Sequence, residues 1–377
     1  MRSKFTTFIM SIIIILIFIG FILFGYILFN EFAGDDLKEG VENFVSTVTS
    51  LADGNEEENL TTPGIIETNI NELQSANAEP TSIKYDNIVI DDYFYEQLEE
   101  TSKIFYRALE SNKENLKTGT YKIEFGDAFS NVLNASGGEK LLGEYYQSAV
   151  ETYIYDHPEV FYINVNKMYL NIETTTKGNN VTYNVFINSG NQANYLEDGY
   201  NSKEQIDSAL AEIENVKNQI LSQKTGDAYQ DIKMVHDYLI DSVEYDTTLS
   251  NPDIYNIYGA LVSKLSVCEG YAKSYKYLMD ALGIPCVIVI GTGTNSSGQS
   301  ENHAWNYVQI NNIWYGVDTT WDDPVVIGGG RPTQTARYQY FLKGENTLNK
   351  DHFPNGQFTQ GGNTYSFPSL SKNDFAI

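Results

Sequence analysis

A cysteine, a histidine and an aspartate follow one another in an order suited to nucleophilic catalysis by a thiol. Cys268 is followed 35 residues later by His303, and Asp318 lies 15 residues further along. A thiol attacks a carbonyl carbon as the thiolate, and an imidazole oriented by a carboxylate stabilises that ion. The residue types and their order therefore predict a cysteine acyl-transfer site with Cys268 as its nucleophile.

The residues around Cys268 predict that it lies in the first turn of a helix. Ser266 is a suitable N-cap, apolar residues recur at helical spacing after Cys268, and Gly283 followed by Pro285 predicts the end of the helix. Backbone N–H groups and the helix dipole favour an anion at such a position. We therefore expect the helix start to stabilise the thiolate and to supply oxyanion donors.

Two predicted strands bring His303 and Asp318 together. They flank the pair Asn311-Asn312, and asparagine tolerates the positive φ that a two-residue hairpin turn requires. With this turn, His303 and Asp318 become diagonal neighbours on one face, about 7 to 8 Å apart at the backbone. An imidazole–carboxylate hydrogen bond can span that separation, whereas a turn one residue longer would break the alignment.

Several motifs in this region occur in the order known from one family. They are Tyr258-Gly259-Ala260-Leu261, Val267-Cys268-Glu269-Gly270-Tyr271-Ala272, Gly283-Ile284-Pro285, His303-Ala304-Trp305-Asn306 and Trp314-Tyr315-Gly316-Val317-Asp318-Thr319-Thr320-Trp321-Asp322. This run, roughly residues 228 to 325, resembles a transglutaminase-like core domain of the microbial kind. The resemblance implies a papain-like α+β fold, in which the helix carrying the cysteine packs on an antiparallel sheet.

The same resemblance implies roles for the three residues. Cys268 would be the nucleophile, His303 the general base and then acid, and Asp318 the residue that orients the imidazole. Tyr258 and Trp305 are candidate substrate-binding residues, with core packing as the alternative for both. The resemblance does not choose among transamidation, deamidation and peptide hydrolysis.

Neither a metal nor another cofactor is predicted. The four histidines show no paired spacing, and the two cysteines are far from a zinc pattern. Cys286 lies in an apolar run of strand character, which predicts a buried core residue. A disulfide between Cys268 and Cys286 is the alternative, and it would silence the nucleophile.

The N-terminal segment predicts a membrane anchor. Phe5 to Phe29 are 25 uncharged, mostly apolar residues, enough for roughly 37 Å of helix against a hydrocarbon thickness of about 30 Å. Arg2 and Lys4 precede the segment and Glu31 follows it, which predicts a single-pass membrane protein with a cytoplasmic N-terminus and an extracytoplasmic catalytic domain. A cleavable signal peptide is the alternative.

Composition divides the chain into five segments. We predict a cytoplasmic stub and membrane anchor at 1–30, a flexible acidic and polar linker at 31–82, an accessory α+β subdomain at 83–200, the catalytic domain at 201–345 and a C-terminal extension at 346–377. The net charge of −26 argues against nucleic acid as a partner.

Two functional hypotheses follow. The first is a membrane-anchored extracytoplasmic cysteine acyltransferase or peptidase that acts on protein or peptide amides, with cell-wall or surface peptides expected from location alone. The alternative is a non-catalytic module of the same fold that binds or scaffolds at the cell surface, for which the 28 tyrosines would provide aromatic surface. The intact Cys268, His303 and Asp318 favour the enzyme.

Overall fold

The computed structural model describes residues 64–71, 92–249, 251–323, 333, 335–355 and 365–376. Its α-helices are α1 (Glu100–Ser111), α2 (Lys113–Leu116), α3 (Ser130–Leu133), α4 (Gly138–Asp156), α5 (Lys203–Leu221), α6 (Ala228–Ser242), α7 (Cys268–Leu282) and α8 (Glu345–Leu348). Short 3-10 helices occur at Tyr95–Gln97, Pro158–Val160, Val165–Lys167, Pro252–Tyr255 and Ala336–Tyr338, and a π-helical turn at Gly259–Ser263.

The strands form two four-stranded sheets and one small pair. They are β1 (Gly64–Asn71), β2 (Ile123–Gly126), β3 (Tyr169–Lys177), β4 (Asn180–Asn188), β5 (Glu244–Tyr245), β6 (Leu265–Ser266), β7 (Cys286–Thr294), β8 (Ser300–Ile310), β9 (Ile313–Val317) and β10 (His352–Pro354). The first sheet has the order β1-β3-β4-β2 and the second β10-β7-β8-β9, while β5 pairs with β6. All neighbours in the second sheet are antiparallel, which agrees with the predicted α+β fold.

The hairpin formed by β8 and β9 has the predicted turn and register. Asn311 and Asn312 both have positive φ, 53° and 61°, as a two-residue turn of this kind requires. Ile310 pairs with Ile313, as predicted. The predicted accessory segment also contains an antiparallel hairpin, formed by β3 and β4.

Helix α7 begins at Cys268, but its N-cap differs from the prediction. Val267, with extended backbone, occupies the cap position and makes no side-chain cap hydrogen bond. The Ser266 hydroxyl instead donates to the carbonyl of Ile254 at 2.8 Å, so the prediction of Ser266 as the cap is wrong. Gly283 ends the helix in the left-handed conformation, with φ of 70°, as predicted.

A close approach of backbone to backbone fixes the start of α7. A Cβ on Gly270 would lie 2.0 Å from the Ser266 hydroxyl oxygen and 2.5 Å from the Ile254 carbonyl oxygen. No larger residue fits there without displacing the backbone. Glycine two positions after Cys268 therefore lets the nucleophile's helix lie directly on the segment around Ile254.

The predicted accessory and catalytic segments share a hydrophobic core. One buried cluster combines residues from 94–206, such as Phe105 and Tyr146, with Val289 and Trp305 of the second sheet. Leu348, from the predicted C-terminal extension, belongs to the same cluster. A second cluster joins α5, α6 and α7 to other residues of that sheet, such as Cys286 and Val308. Residues on both sides of the predicted boundaries at 200/201 and 345/346 thus belong to one buried cluster.

One part of the predicted linker is a strand. Within 31–82, β1 pairs in parallel with β3 and extends the first sheet. Its sequence contains the β-branched Ile65, Ile66, Thr68 and Ile70, which favour a strand, but the average composition of the long segment concealed this. The predicted membrane helix lies outside the described residues. Among the helices that are described, none has the length and apolarity needed to cross a membrane.

Candidate active site

The nucleophile candidate lies at the first residue of α7, where backbone N–H groups have no partner within the helix. Cys268 is partly buried, Cys286 is buried, and both thiols are free. The structure therefore does not contain the alternative disulfide. Burial raises the pKa of Cys286 well above its usual value, which makes this thiol unreactive.

His303 and Asp318 form the predicted hydrogen bond. The imidazole Nε2 lies 2.7 Å from the carboxylate Oδ2, and both side chains are buried. Burial alone would lower the pKa of His303, but the charge and hydrogen bond of Asp318 oppose it. A hydrogen bond and the charge of Cys268 add to that effect, and the pKa rises to about 10. His303 is thus held as an imidazolium, with Nδ1 left for the thiol.

Asp318 receives hydrogen bonds on both carboxylate oxygens. Its Oδ1 accepts from the backbone N–H groups of Thr320 and Trp321 at 2.9 and 3.1 Å. Burial opposes the charged form, yet the neighbouring imidazoles hold the pKa of Asp318 far below its usual range. The turn that follows β9 therefore presents an ionised carboxylate to His303.

A second histidine faces the same carboxylate oxygen. His352 Nε2 lies 3.0 Å from Asp318 Oδ2, and His352 Nδ1 lies 2.8 Å from Asp351 Oδ1. Sequence spacing gave no sign of this convergence, because His352 comes 34 residues after Asp318 in the predicted C-terminal extension. It reaches the site only because β10 pairs with β7, opposite Gly293.

Indole rings surround the base candidate. Trp321 stacks on His303 with ring centroids 5.0 Å apart, and Trp305 stacks at 5.9 Å. Trp305 is 1% exposed, so it packs behind the imidazole and cannot serve as a surface for substrate. Core packing, the alternative for Trp305 from the sequence, is what the structure shows.

Glycine in β7 makes room for this stack. A Cβ on Gly293 would lie 2.8 Å from the Trp321 ring and 3.2 Å from the Cβ of His303. A side chain there would push the imidazole or the indole aside.

Asn306 ties the helix of the nucleophile to the strand of the base. Its amide Nδ2 donates to the carbonyl of Ala272 on α7 at 3.0 Å, and Asn306 itself is buried on β8. Because Cys268 and His303 lie on these same two elements, this hydrogen bond helps to fix the distance between them.

Tyr258, the second candidate substrate-binding residue, forms its hydrogen bond elsewhere, and Tyr245 instead lies near the Cys268 thiol. The Tyr258 hydroxyl donates to Glu212 of α5 at 3.1 Å, and no hydrogen bond or ring contact between described residues joins Tyr258 to the triad. Tyr245 pairs with Ser266 in the β5–β6 ladder and is 37% exposed. Burial and then the charge of Cys268 raise the pKa of Tyr245 to about 12, so it retains its proton at neutral pH.

One group of side chains within the described part of the chain has metal-like spacing. The ligand atoms of His303, Asp318 and His352 lie within 4.8 Å of one another. Both imidazoles, however, are within hydrogen-bond distance of Asp318 Oδ2. We interpret the group as a hydrogen-bonded chain.

The geometry of thiol, imidazole and carboxylate agrees with the family comparison. Residues 214–319 match the model of the transglutaminase-like superfamily, so this part of the chain is a transglutaminase-like core domain. The match contains Cys268, His303 and Asp318, and it ends before His352.

Two curated relatives are both kyphoscoliosis peptidases. The chain is 26% identical to the Mus musculus protein over 177 residues, which are 41% of this chain and 26% of the relative. It is 25% identical to the Homo sapiens protein over 160 residues, 37% of this chain and 23% of the relative. The chain thus spans about a quarter of the length of these relatives.

Solved structures with partial similarity include a TGase, at 16% identity and a TM-score of 0.28, covering 46% of this chain and 49% of the other. Another is the periplasmic domain of TgpA from Pseudomonas aeruginosa, at 15% identity and a TM-score of 0.24, covering 37% of this chain and 54% of the other. These TM-scores are too low to add support to the family assignment.

Proposed function

We propose that the protein is a membrane-anchored, extracytoplasmic cysteine acyl-transfer enzyme that acts on protein or peptide amides through a thioester on Cys268. The observation that carries this proposal is the His303–Asp318 hydrogen bond of 2.7 Å with the Cys268 thiol interacting with the same imidazole. A core of this superfamily generally supports cysteine acyl transfer or peptidase activity. The name of the curated relatives makes peptide hydrolysis the first activity to test.

The chemistry follows from the positions of the three groups. The Cys268 thiolate attacks the amide carbonyl, and N–H groups at the start of α7 stabilise the oxyanion. As the C–N bond breaks, His303 gives its proton to the leaving nitrogen and a thioester remains. Water or an amine, deprotonated by His303, then attacks the thioester and releases the thiol. Water yields hydrolysis or deamidation, and an amine yields a cross-link.

The first experiment measures the pH dependence of Cys268 alkylation by iodoacetamide, with a Cys268→Ala variant as the control for Cys286. We expect fast labelling at pH values well below ~8.5, the pKa of a free thiol. We expect His303→Ala to abolish this fast labelling. Slow labelling that His303 does not affect would support the non-catalytic module instead. A glutamine peptide, with and without a fluorescent primary amine, then distinguishes hydrolysis from transamidation.

Location needs its own test. The anchor and the extracytoplasmic placement rest on the sequence of residues 1–30 and on the charges around them. A membrane-impermeant maleimide should label Cys268 in intact cells, to the same extent as after lysis. Labelling only after lysis would contradict the proposed orientation and leave the proposed chemistry untouched.

A further inference from the structure

His352 makes two hydrogen bonds that the three-residue site does not use. Its Nε2 faces Asp318 Oδ2 at 3.0 Å, and its Nδ1 faces Asp351 Oδ1 at 2.8 Å. The side chain is fully buried. A histidine in this setting, three hydrogen bonds away from the thiol along a chain of polar contacts, can act on the reaction without touching the substrate.

We propose that His352 is a positioning residue, which donates a hydrogen bond to Asp318 Oδ2 and thereby holds the carboxylate aimed at His303. This inference rests on the proposed function, since it concerns the same site. It also makes the segment after residue 345 part of the active site, although the superfamily match ends at residue 319.

Each carboxylate oxygen of Asp318 has two hydrogen-bond partners. Oδ1 of Asp318 is held by two backbone N–H groups, those of Thr320 and Trp321, whereas Oδ2 has the two imidazoles as partners. A buried ionised carboxylate needs all of its donors, because each unmade hydrogen bond there costs about 1–3 kcal/mol. Without His352, His303 alone would have to orient and neutralise Oδ2.

His352 is itself held in place from the other side. Asp351 accepts from the Tyr340 hydroxyl through Oδ2 at 2.7 Å, and its backbone carbonyl accepts from Thr294 of β7 at 2.8 Å. The polar chain thus runs from Tyr340 through Asp351, His352 and Asp318 to His303. Support of this kind, a fixed group behind a functional group, is what locks the geometry of a site.

Aromatic rings complete the surroundings of His352. Trp321 lies 4.5 Å away, Trp305 5.0 Å and Tyr340 4.9 Å, measured between ring centroids. The titratable groups that face it are therefore Asp318, Asp351, His303 and Tyr340. The His352 side chain therefore has two different roles to test, packing against these rings and donating a hydrogen bond. Two substitutions separate them.

His352→Phe keeps an aromatic ring in the cage but removes the donor. His352→Gln keeps a donor at the same number of bonds from Cα but removes the ring. The measurement is the pH dependence of Cys268 alkylation in the full-length chain, which needs no knowledge of the substrate, with thermal unfolding as a parallel readout. Cys268→Ala in each background corrects for Cys286.

We expect His352→Phe to move the rising limb of the alkylation profile to higher pH by about one unit, or about tenfold in rate at a fixed pH on that limb. The reason is that a misaligned Asp318 stabilises the His303 imidazolium less well. We expect His352→Gln to stay within about threefold of the wild type, even though it unfolds at a lower temperature because the ring packing is lost.

Three outcomes would overturn the inference. A shift in His352→Gln that equals or exceeds that in His352→Phe would assign the residue to packing. Wild-type profiles in both variants would leave it without a role in the reaction. A shift of the limb to lower pH in His352→Phe would show that His352 competes with His303 for Asp318.

A second measurement does not require any His352→Phe protein to fold. In wild-type protein with ¹⁵N-labelled histidine, the Nε2 of His352 should carry a slowly exchanging proton, identified by its absence in His352→Gln. An unprotonated Nε2 would refute the inference. Failure of the proposed function looks different, because the wild-type thiol itself would then be alkylated slowly whatever stands at position 352.

Discussion

Replacing Asp318 with asparagine separates the electrostatic part of the site from its shape. The amide oxygen of asparagine can still accept from the N–H groups of Thr320 and Trp321, where Oδ1 accepts now. Its NH₂ group then faces His303 Nε2, which becomes an acceptor. The proton of the neutral imidazole moves to Nδ1, so that the ring can no longer take a proton from Cys268.

The magnitude follows from the pKa of His303. It is raised from 6.5 to about 10 against the effect of burial, with Asp318 as the largest favourable influence. This difference of about 3.5 pH units corresponds to about 5 kcal/mol, which is the net effect of Asp318 and Cys268 after the opposing effect of burial. With the counter-charge gone, burial dominates, and we expect His303 in Asp318→Asn to titrate at or below about 6.5.

Histidine titration by ¹⁵N NMR is a suitable assay, because the chain has only 4 histidines. His303 can be assigned from its absence in His303→Gln. It should remain an imidazolium at pH 8 in the wild type and be neutral at pH 8 in Asp318→Asn. We also expect turnover to fall on the order of 10⁴-fold, as in the serine-protease triad when its aspartate is replaced in the same way.

The same substitution has a consequence for stability. Because the folded-state pKa of His303 is raised, its contribution to the free energy of unfolding is complete below about pH 6.5 and is lost as the pH rises through about 10. Asp318→Asn should remove that alkaline loss. A wild-type His303 that titrates near 6.5, or an unchanged value in Asp318→Asn, would refute the reasoning.

Three further substitutions test separate contacts. Gly293→Ala places a Cβ 2.8 Å from the Trp321 ring; we expect about 1–3 kcal/mol of destabilisation and slower alkylation of the nucleophile, and a native melting temperature would contradict the clash. Asn306→Leu removes the hydrogen bond from β8 to the Ala272 carbonyl, which keeps its partner within α7; urea unfolding should show a loss of about 0.5–1.5 kcal/mol, and no loss would mean that this link is unimportant. Asp156 is buried, and burial followed by the charge of Asp92 raises its pKa to about 7, so Asp156→Asn should stabilise the protein more at pH 8 than at pH 5; equal effects at the two pH values would be inconsistent with that pKa.

The sequence predicted those parts of the site that depend on residues close together along the chain. The Asn311-Asn312 turn fixes the register of β8 and β9, and the register brings His303 to Asp318. The position of Cys268 in the first turn of α7 also followed from residues close to it, although the predicted cap was wrong. In each case, the residues that make the prediction are neighbours along the chain.

The rest of the site depends on contacts that are distant in sequence. His352 reaches Asp318 only through the pairing of β10 with β7, and a three-residue strand carries no periodic signal strong enough to predict that pairing. Ser266 is a good N-cap by type, but the carbonyl of Ile254 takes its hydroxyl. Tyr245 became visible as a neighbour of the thiol only once β5 was paired with β6.

The hydrophobic core that spans residues 94–206 and the second sheet also bears on cooperativity. A chain shortened to begin at residue 201 would expose apolar side chains of the second sheet, such as Val289 and Trp305, that belong to the same buried cluster as Phe105 and Tyr146. Conversely, a ligand that bound only the N-terminal part would stabilise the folded state as a whole by mass action. Binding far from Cys268 would then protect the nucleophile's helix from every opening that proceeds through global unfolding.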